Sequence, residues 1–229
     1  MPDISLNRAA AITAVFTAAL WAIQVAALSL DLPVGLLGIR PGQTTALHGV
    51  LTAPLVHGSF THLLTNTPPL LVLGTAMLYG FPRASKIALP MIWLGSGAGV
   101  WLLAREGTHL GASGLTYGMM FFVFVIGVLR RDRPSMALAM IVFFLYGSMV
   151  WGILPTKPGI SFESHLFGAL AGVLAAFLLR RRDPLTPRRR YEWESDPSPE
   201  AEDPVIGDLW RDAQEPETRS RTPSRRRDE

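Results

Sequence analysis

Polar and charged residues interrupt the first 180 or so positions only in short clusters, and the apolar stretches between them approach the length a helix needs to cross a bilayer, roughly 20 residues. Six windows qualify: Ala9–Leu30, Phe60–Tyr79, Ile87–Ala104, Ser113–Leu129, Met136–Leu154 and Phe162–Leu179. A backbone in hydrocarbon must satisfy its own hydrogen bonds, so the pattern predicts an all-α, polytopic membrane protein built as a six-helix bundle. Pro68 and Pro69 fall inside the second window, where a missing N–H and a bulky ring should bend the helix. Beyond Leu179 the pattern stops. The stretches "RRRDPLTPRRRYEWESDPSPEAEDP" and "RSRTPSRRRDE" are rich in charge and proline, and bury too little apolar surface to offset the entropy of ordering them. Two parts are therefore expected: a membrane domain over 1–182 and a disordered, charged cytoplasmic tail over 183–229, in which Val205–Trp210 ("VIGDLW") is read as unoccupied linker, with a short docking motif as the alternative.

Charge sharpens this division. Residues 1–182 hold twelve Lys/Arg against five Asp/Glu, whereas 183–229 hold nine against thirteen, a split hidden by the overall charge of +3. The basic residues flank apolar segments, as expected for charges retained on the cytoplasmic side of a membrane, and nucleic-acid binding is not expected. One set of alternate loops carries Arg8, Arg83, Lys86, Arg130, Arg131, Arg133, Arg180, Arg181 and Arg182, and the other Arg40, Arg105 and Lys157. Nine against three predicts that both termini are cytoplasmic. The first apolar run exceeds the usual signal-peptide core of about 7–15 residues, so it is read as a retained span. Cysteine is absent, which excludes disulfides, a thiol nucleophile and thiolate zinc sites.

Polar groups at membrane depth are costly unless they pair or face water, so each is a functional question. "HGSFTHLLTN" carries His57, His62 and Asn66; the fourth window opens at Ser113 and includes Tyr117; the sixth opens on "ESHLFGALAG" with His165. Under the predicted topology the second, fourth and sixth helices all run inward from the outer side. They therefore place His62, Asn66, Ser113 and His165 in one outer layer. At 3.6 residues per turn His62 and Asn66 share a face, as do Ser113 and Tyr117. Gly168 and Gly172 lie on the stripe of His165, and Gly114 and Gly118 adjoin the Ser113 side, so helices four and six could approach closely. Taken singly, each residue also has a packing reading: a serine among glycines, a histidine at an interface, an asparagine holding helices together. His57 and His62, treated as helical, diverge by about 140° and do not make a zinc pair. Charged pathway residues or paired broken helices, the marks of a transporter, are not seen in the spans.

The three segments together resemble the rhomboid family of intramembrane serine proteases, over roughly residues 48–178. The signatures are "HGSFTHLLTN", "GASGLTYG" and "HLFGALAG", in that order and on those spans. The resemblance implies Ser113 as nucleophile, His165 as general base, Tyr117 as the aromatic residue supporting that base, and His62, Asn66 and the Ser113 amide as oxyanion donors. It gives His57 a structural part. It also implies an integral protein of a bacterial plasma membrane with its site open to the outer side, acting on transmembrane protein substrates within the lipid bilayer, without cofactor or metal. A non-catalytic relative that binds or escorts membrane helices is the alternative, but such relatives generally lose the serine or the histidine. Glu163 lies two residues before His165 and points about 160° away on a helix, so a dyad is expected in place of a triad.

Two departures from the family pattern stand out. His48 and Gly49 occupy the positions where several rhomboids carry a Trp-Arg pair, which leaves the anchoring of the first loop open. Ser164 stands where alanine is common before the histidine, a change expected to be harmless.

Overall fold

The structure, a computed structural model, describes residues 4–155 and 159–185. Lys157, Val205–Trp210 and nearly all of the expected tail lie outside the described residues. Helix α1 covers Leu6–Ser29, the short α2 Gly49–Thr52, α3 Phe60–Gly80, α4 Pro82–Leu103, α5 Ser113–Arg130, α6 Arg133–Tyr146 and α7 Phe162–Leu179. Among the described residues there is no strand, and an isolated backbone bridge joins Ile39 to His109.

Local chemistry marks the helix starts. The side chains of Ser59, Asp132 and Ser161 accept the backbone N–H of His62, Ser135 and Ser164, satisfying donors that the first turn leaves unpaired. Among the described residues, five helical segments are long and apolar enough to cross a membrane: Leu6–Ser29, Pro82–Leu103, Ser113–Arg130, Arg133–Ile153 and Phe162–Leu179. Helix α3 is as long, at 21 residues, but its first two turns carry Thr61, His62, Thr65, Asn66 and Thr67. It runs on through Pro68 and Pro69. The fifth window is not one α-helix: α6 ends at Tyr146, and Gly147–Ile153 tightens into 3₁₀ geometry.

Helix α5 occupies the centre, packing against α3, α4, α6 and α7. Its window is 61% buried, against 11% for Arg133–Ile153 at the periphery. The core is built from Leu63, Leu73 and Met77 of α3, Ile92 of α4, and Met120, Phe122, Val123 and Ile126 of α5. Helix α1 leans on α3, where the hydroxyls of Thr13 and Thr75 meet at 2.9 Å and Trp21 Nε1 donates to Thr67 at 3.0 Å.

The first loop is anchored without a Trp-Arg pair. His48 Nε2 donates to the Leu36 carbonyl at 2.8 Å and Thr52 to that of Leu37 at 2.7 Å. A Cβ on Gly49 would lie 2.8 Å from the Ile39 Cα, so the backbone occupies the space a larger side chain would need. Trp93 and Trp101 of α4 donate to the carbonyls of Leu51 and Gln43.

At the other end, Asp183 departs from the expectation of a tail starting there. It is buried, and its carboxylate accepts the N–H groups of Arg83 and Ala84 at 2.8 and 3.0 Å, capping α4. Arg130 donates to the carbonyls of Arg180, Asp183 and Pro184, drawing this segment onto the bundle.

Candidate active site

Ser113 is the first residue of α5. The chain enters it through Gly111, whose φ of 108° suits glycine, and a Cβ there would lie 2.7 Å from His62 Nε2. Ala112, the N-cap, has no side-chain acceptor, so the leading amides of α5 remain available as donors. The Ala112 amide is held from behind by His57 Nε2 at 3.2 Å. An accepting Nε2 means a neutral ring with its proton on Nδ1. Burial, with the neighbouring His62 adding to it, lowers the His57 pKa from 6.5 to about 4.

His57 and His62 do not diverge as they would on one helix. His57 precedes α3, so the chain can fold its ring against that of His62, edge to face with centroids 5.1 Å apart. His62 is thus held between Gly111 and His57. One turn on, Asn66 is 4% exposed and donates one amide hydrogen to the His62 carbonyl at 2.8 Å.

His165 lies one turn into α7 and is buried. Its ring stacks on Tyr117, with centroids 4.0 Å apart and planes 4° from parallel. Nδ1 meets the Gly152 carbonyl at 2.8 Å. A carbonyl only accepts, so Nδ1 carries the proton and the neutral ring keeps a basic lone pair on Nε2. The backbones beneath it are in close contact. A Cβ on Gly168 would overlap the Gly114 carbonyl and one on Gly172 the Gly118 carbonyl, so all four glycines lie in the α5–α7 seam.

Ser113, Tyr117, His165, His62 and Asn66 line one cavity of about 750 Å³, which extends over Thr65, Thr116, Met149 and Ser161. Ser113 enters the hydrogen-bond network through its carbonyl, which accepts from Thr116 at 2.9 Å. Among the described residues its hydroxyl has no partner, so it is free to turn within the cavity; catalytic hydrogen bonds often close only when substrate is bound. Glu163 is engaged elsewhere, with Arg105 Nε 3.0 Å from its Oε1.

This arrangement joins a hydroxyl, a tautomerically fixed imidazole and a group of N–H donors around one space, as acyl transfer requires. A Rhomboid domain model matches residues 44–182 of the chain. The chain belongs to the rhomboid family. It is an integral membrane protein, given that family and its five apolar helices.

This rhomboid is similar to "Uncharacterized protein Rv1337" of Mycobacterium tuberculosis, with 40% identity over 151 residues, covering 62% of this chain and 63% of the relative. "Uncharacterized protein ML1171" of Mycobacterium leprae is 38% identical over 152 residues, 62% of this chain and 60% of the relative. The rhomboid thus spans less than two thirds of the length of these mycobacterial relatives. "Putative rhomboid protease YdcA" of Bacillus subtilis is 27% identical over 170 residues, 68% of this chain and 75% of that one.

Several residues at the site were not singled out from the sequence. Gly152 acts through its carbonyl, which every residue type has, so no side-chain pattern marks it. His109 is 5% exposed, and its Nδ1 meets the Ser161 hydroxyl at 2.6 Å. A histidine four residues before Ser113 was readable in the sequence, but its burial was not. Ser164, where alanine is common, adds a hydroxyl that bonds that of Ser161 at 2.6 Å, and its carbonyl accepts from Ser96 at 3.2 Å.

Proposed function

We propose that this rhomboid is an intramembrane serine endopeptidase that hydrolyses peptide bonds in or near transmembrane segments of membrane proteins through a Ser113–His165 dyad. The observation that carries the reading is the state of His165. With Nδ1–H held by Gly152 and the ring face against Tyr117, its Nε2 is the nitrogen left to work in the cavity that Ser113 lines.

In this reading the Ser113 hydroxyl attacks the scissile carbonyl while His165 Nε2 takes its proton. The imidazolium is stabilised by the Gly152 carbonyl and returns the proton to the leaving amine. The oxyanion is met by the Ser113 amide, by the second Asn66 amide hydrogen and by a His62 N–H. A water then repeats the attack on the acyl-enzyme. Helix α3 completes six spans; its polar first turns face the cavity and so need not face lipid. The positive-inside count supports cytoplasmic termini and a site open to the outer side. The membrane domain would end just past Asp183, with a charged cytoplasmic tail after it. Suitable substrates present a helix that unwinds readily near its outer end, because a peptide bond within an intact helix is shielded.

The purified protein, in detergent or bilayer, should be labelled by a fluorophosphonate probe, and Ser113→Ala should abolish labelling while keeping the wild-type melting temperature. Undiminished labelling of that variant would reject Ser113 as nucleophile, and an unreactive wild type would favour a helix-binding role.

A further inference from the structure

We propose that the loop between α4 and α5, acting through Arg105 and His109, is a clamp that sets His165 in register with Ser113; the inference rests on the protease reading above. Nine residues, 104–112, form this loop, and it runs directly into Ser113. It also grips the residues that run directly into His165. Arg105 Nη2 donates to the Ile160 carbonyl at 2.7 Å, its Nε lies 3.0 Å from Glu163 Oε1, and its guanidinium sits 5.2 Å from the Phe162 ring centroid. Three successive features of the α7 entrance are thereby held by one side chain.

His109 makes the second attachment. Its Nε2 meets the Arg105 carbonyl at 3.0 Å, so in the neutral ring Nε2 donates and Nδ1 accepts the Ser161 hydroxyl at 2.6 Å. The Ser161 oxygen then receives the Ser164 hydroxyl at 2.6 Å and the Ser164 amide at 3.4 Å. The hydrogen bonds thus run in one direction from Ser164 to Arg105. A histidine with both nitrogens committed to buried partners is costly to replace by a group that leaves them unpaired.

The loop has a fixed base of its own. His109 exchanges both backbone bonds with Ile39, at 2.8 and 2.9 Å, and the Gly111 amide donates to the Ala53 carbonyl at 2.8 Å. Ser113 lies four residues after His109, and His165 four residues after Ser161. The His109–Ser161 bond therefore ties the segment entering α5 to the segment entering α7, in each case four residues before the reacting group. Arg105 and His109 are positioning residues; neither needs to touch substrate.

The test is the rate of fluorophosphonate labelling as a function of probe concentration, with the full chain in detergent. His109→Ala, Arg105→Ala and Ser161→Ala should lower the limiting rate about tenfold, while the probe concentration giving half that rate changes less than twofold. A misplacement of about 1 Å costs up to about 100-fold, so a smaller shift in near-attack geometry gives a loss of this order. His109→Gln, whose amide can accept from Ser161 and donate to Arg105, should restore the rate to within about threefold of wild type. Wild-type limiting rates in all three alanine variants would overturn the clamp, as would losses that His109→Gln does not repair in protein of unchanged melting temperature. Hydrogen exchange supplies a readout that does not need catalysis: the amides of 162–166 should exchange about tenfold faster in His109→Ala. If the wild type itself is unreactive, the protease reading fails; accelerated exchange then still supports a clamp on α7, and unchanged exchange removes it.

Discussion

Gly168→Ala tests the seam on which the proposed dyad depends. A Cβ at this position would overlap the Gly114 carbonyl oxygen and lie 2.8 Å from its carbon and 3.1 Å from the Gly114 Cα. Unstrained carbon contacts are about 3.5–4.0 Å, so α5 and α7 must part by roughly 0.5–1 Å to admit the methyl. Overpacking of this kind costs about 1–3 kcal/mol. His165 lies three residues before Gly168 and Ser113 directly precedes Gly114, so the added separation falls within a turn of both groups. A displacement near 1 Å costs up to about 100-fold in rate, and we expect fluorophosphonate labelling to slow by roughly 10- to 100-fold, with a lowered melting temperature in detergent. Gly172→Ala is the control. Its Cβ would lie 2.9 Å from the Gly118 carbonyl carbon, a similar overlap one turn further from the site, and should cost similar stability with a smaller loss of rate. Wild-type labelling and wild-type melting of Gly168→Ala would refute the argument, as would equal inactivation by Gly172→Ala.

Three further outcomes follow from the site. Gly152→Ala would press a methyl onto Tyr117, 2.8 Å from its Cζ, and push away the carbonyl that holds Nδ1 of His165; labelling should slow about tenfold or more, and an unaffected rate would remove Gly152 from the tautomer argument. Asn66→Ala should reduce cleavage of a transmembrane reporter peptide by roughly 10- to 1000-fold, and full activity would exclude it as an oxyanion donor. His57 binds its proton less readily folded, at about 4, than unfolded, at 6.5, so stability is complete above pH 6.5 and falls as pH drops toward 4, by roughly 3 kcal/mol in all. Melting in detergent across that range should show the decline, and His57→Gln should flatten it; a decline that persists in His57→Gln assigns it to other groups.

Much of the molecule was readable along the chain, because a bilayer imposes a length and a polarity that each helix must meet by itself. Five of the windows fall on membrane-length helical segments, the second falls on α3, and the glycine pairs anticipated the α5–α7 seam. The spacing of Ser113 with Tyr117 reports a helix face, a property of 3.6 residues per turn that needs no partner. Failures of the sequence reading occurred where a neighbour decides the outcome. The 3₁₀ turn at Gly147–Ile153 interrupts a run that hydropathy alone treats as continuous, and it delivers the Gly152 carbonyl to His165. Asp183 reads as the start of a charged tail until the amides of Arg83 and Ala84 are seen to need an acceptor.

The sequence by itself determined most of the helices, their small-residue stripes, the direction of the charge asymmetry and the candidate side chains of the site. Only the tertiary structure decided which nitrogen of His165 is basic, what Glu163 and Arg105 do, and how the entrances of α5 and α7 are tied together. The division has a physical cause. Spans and faces follow from neighbours within a turn or two, whereas tautomer and register are set by backbone carbonyls and side chains brought from tens of residues away.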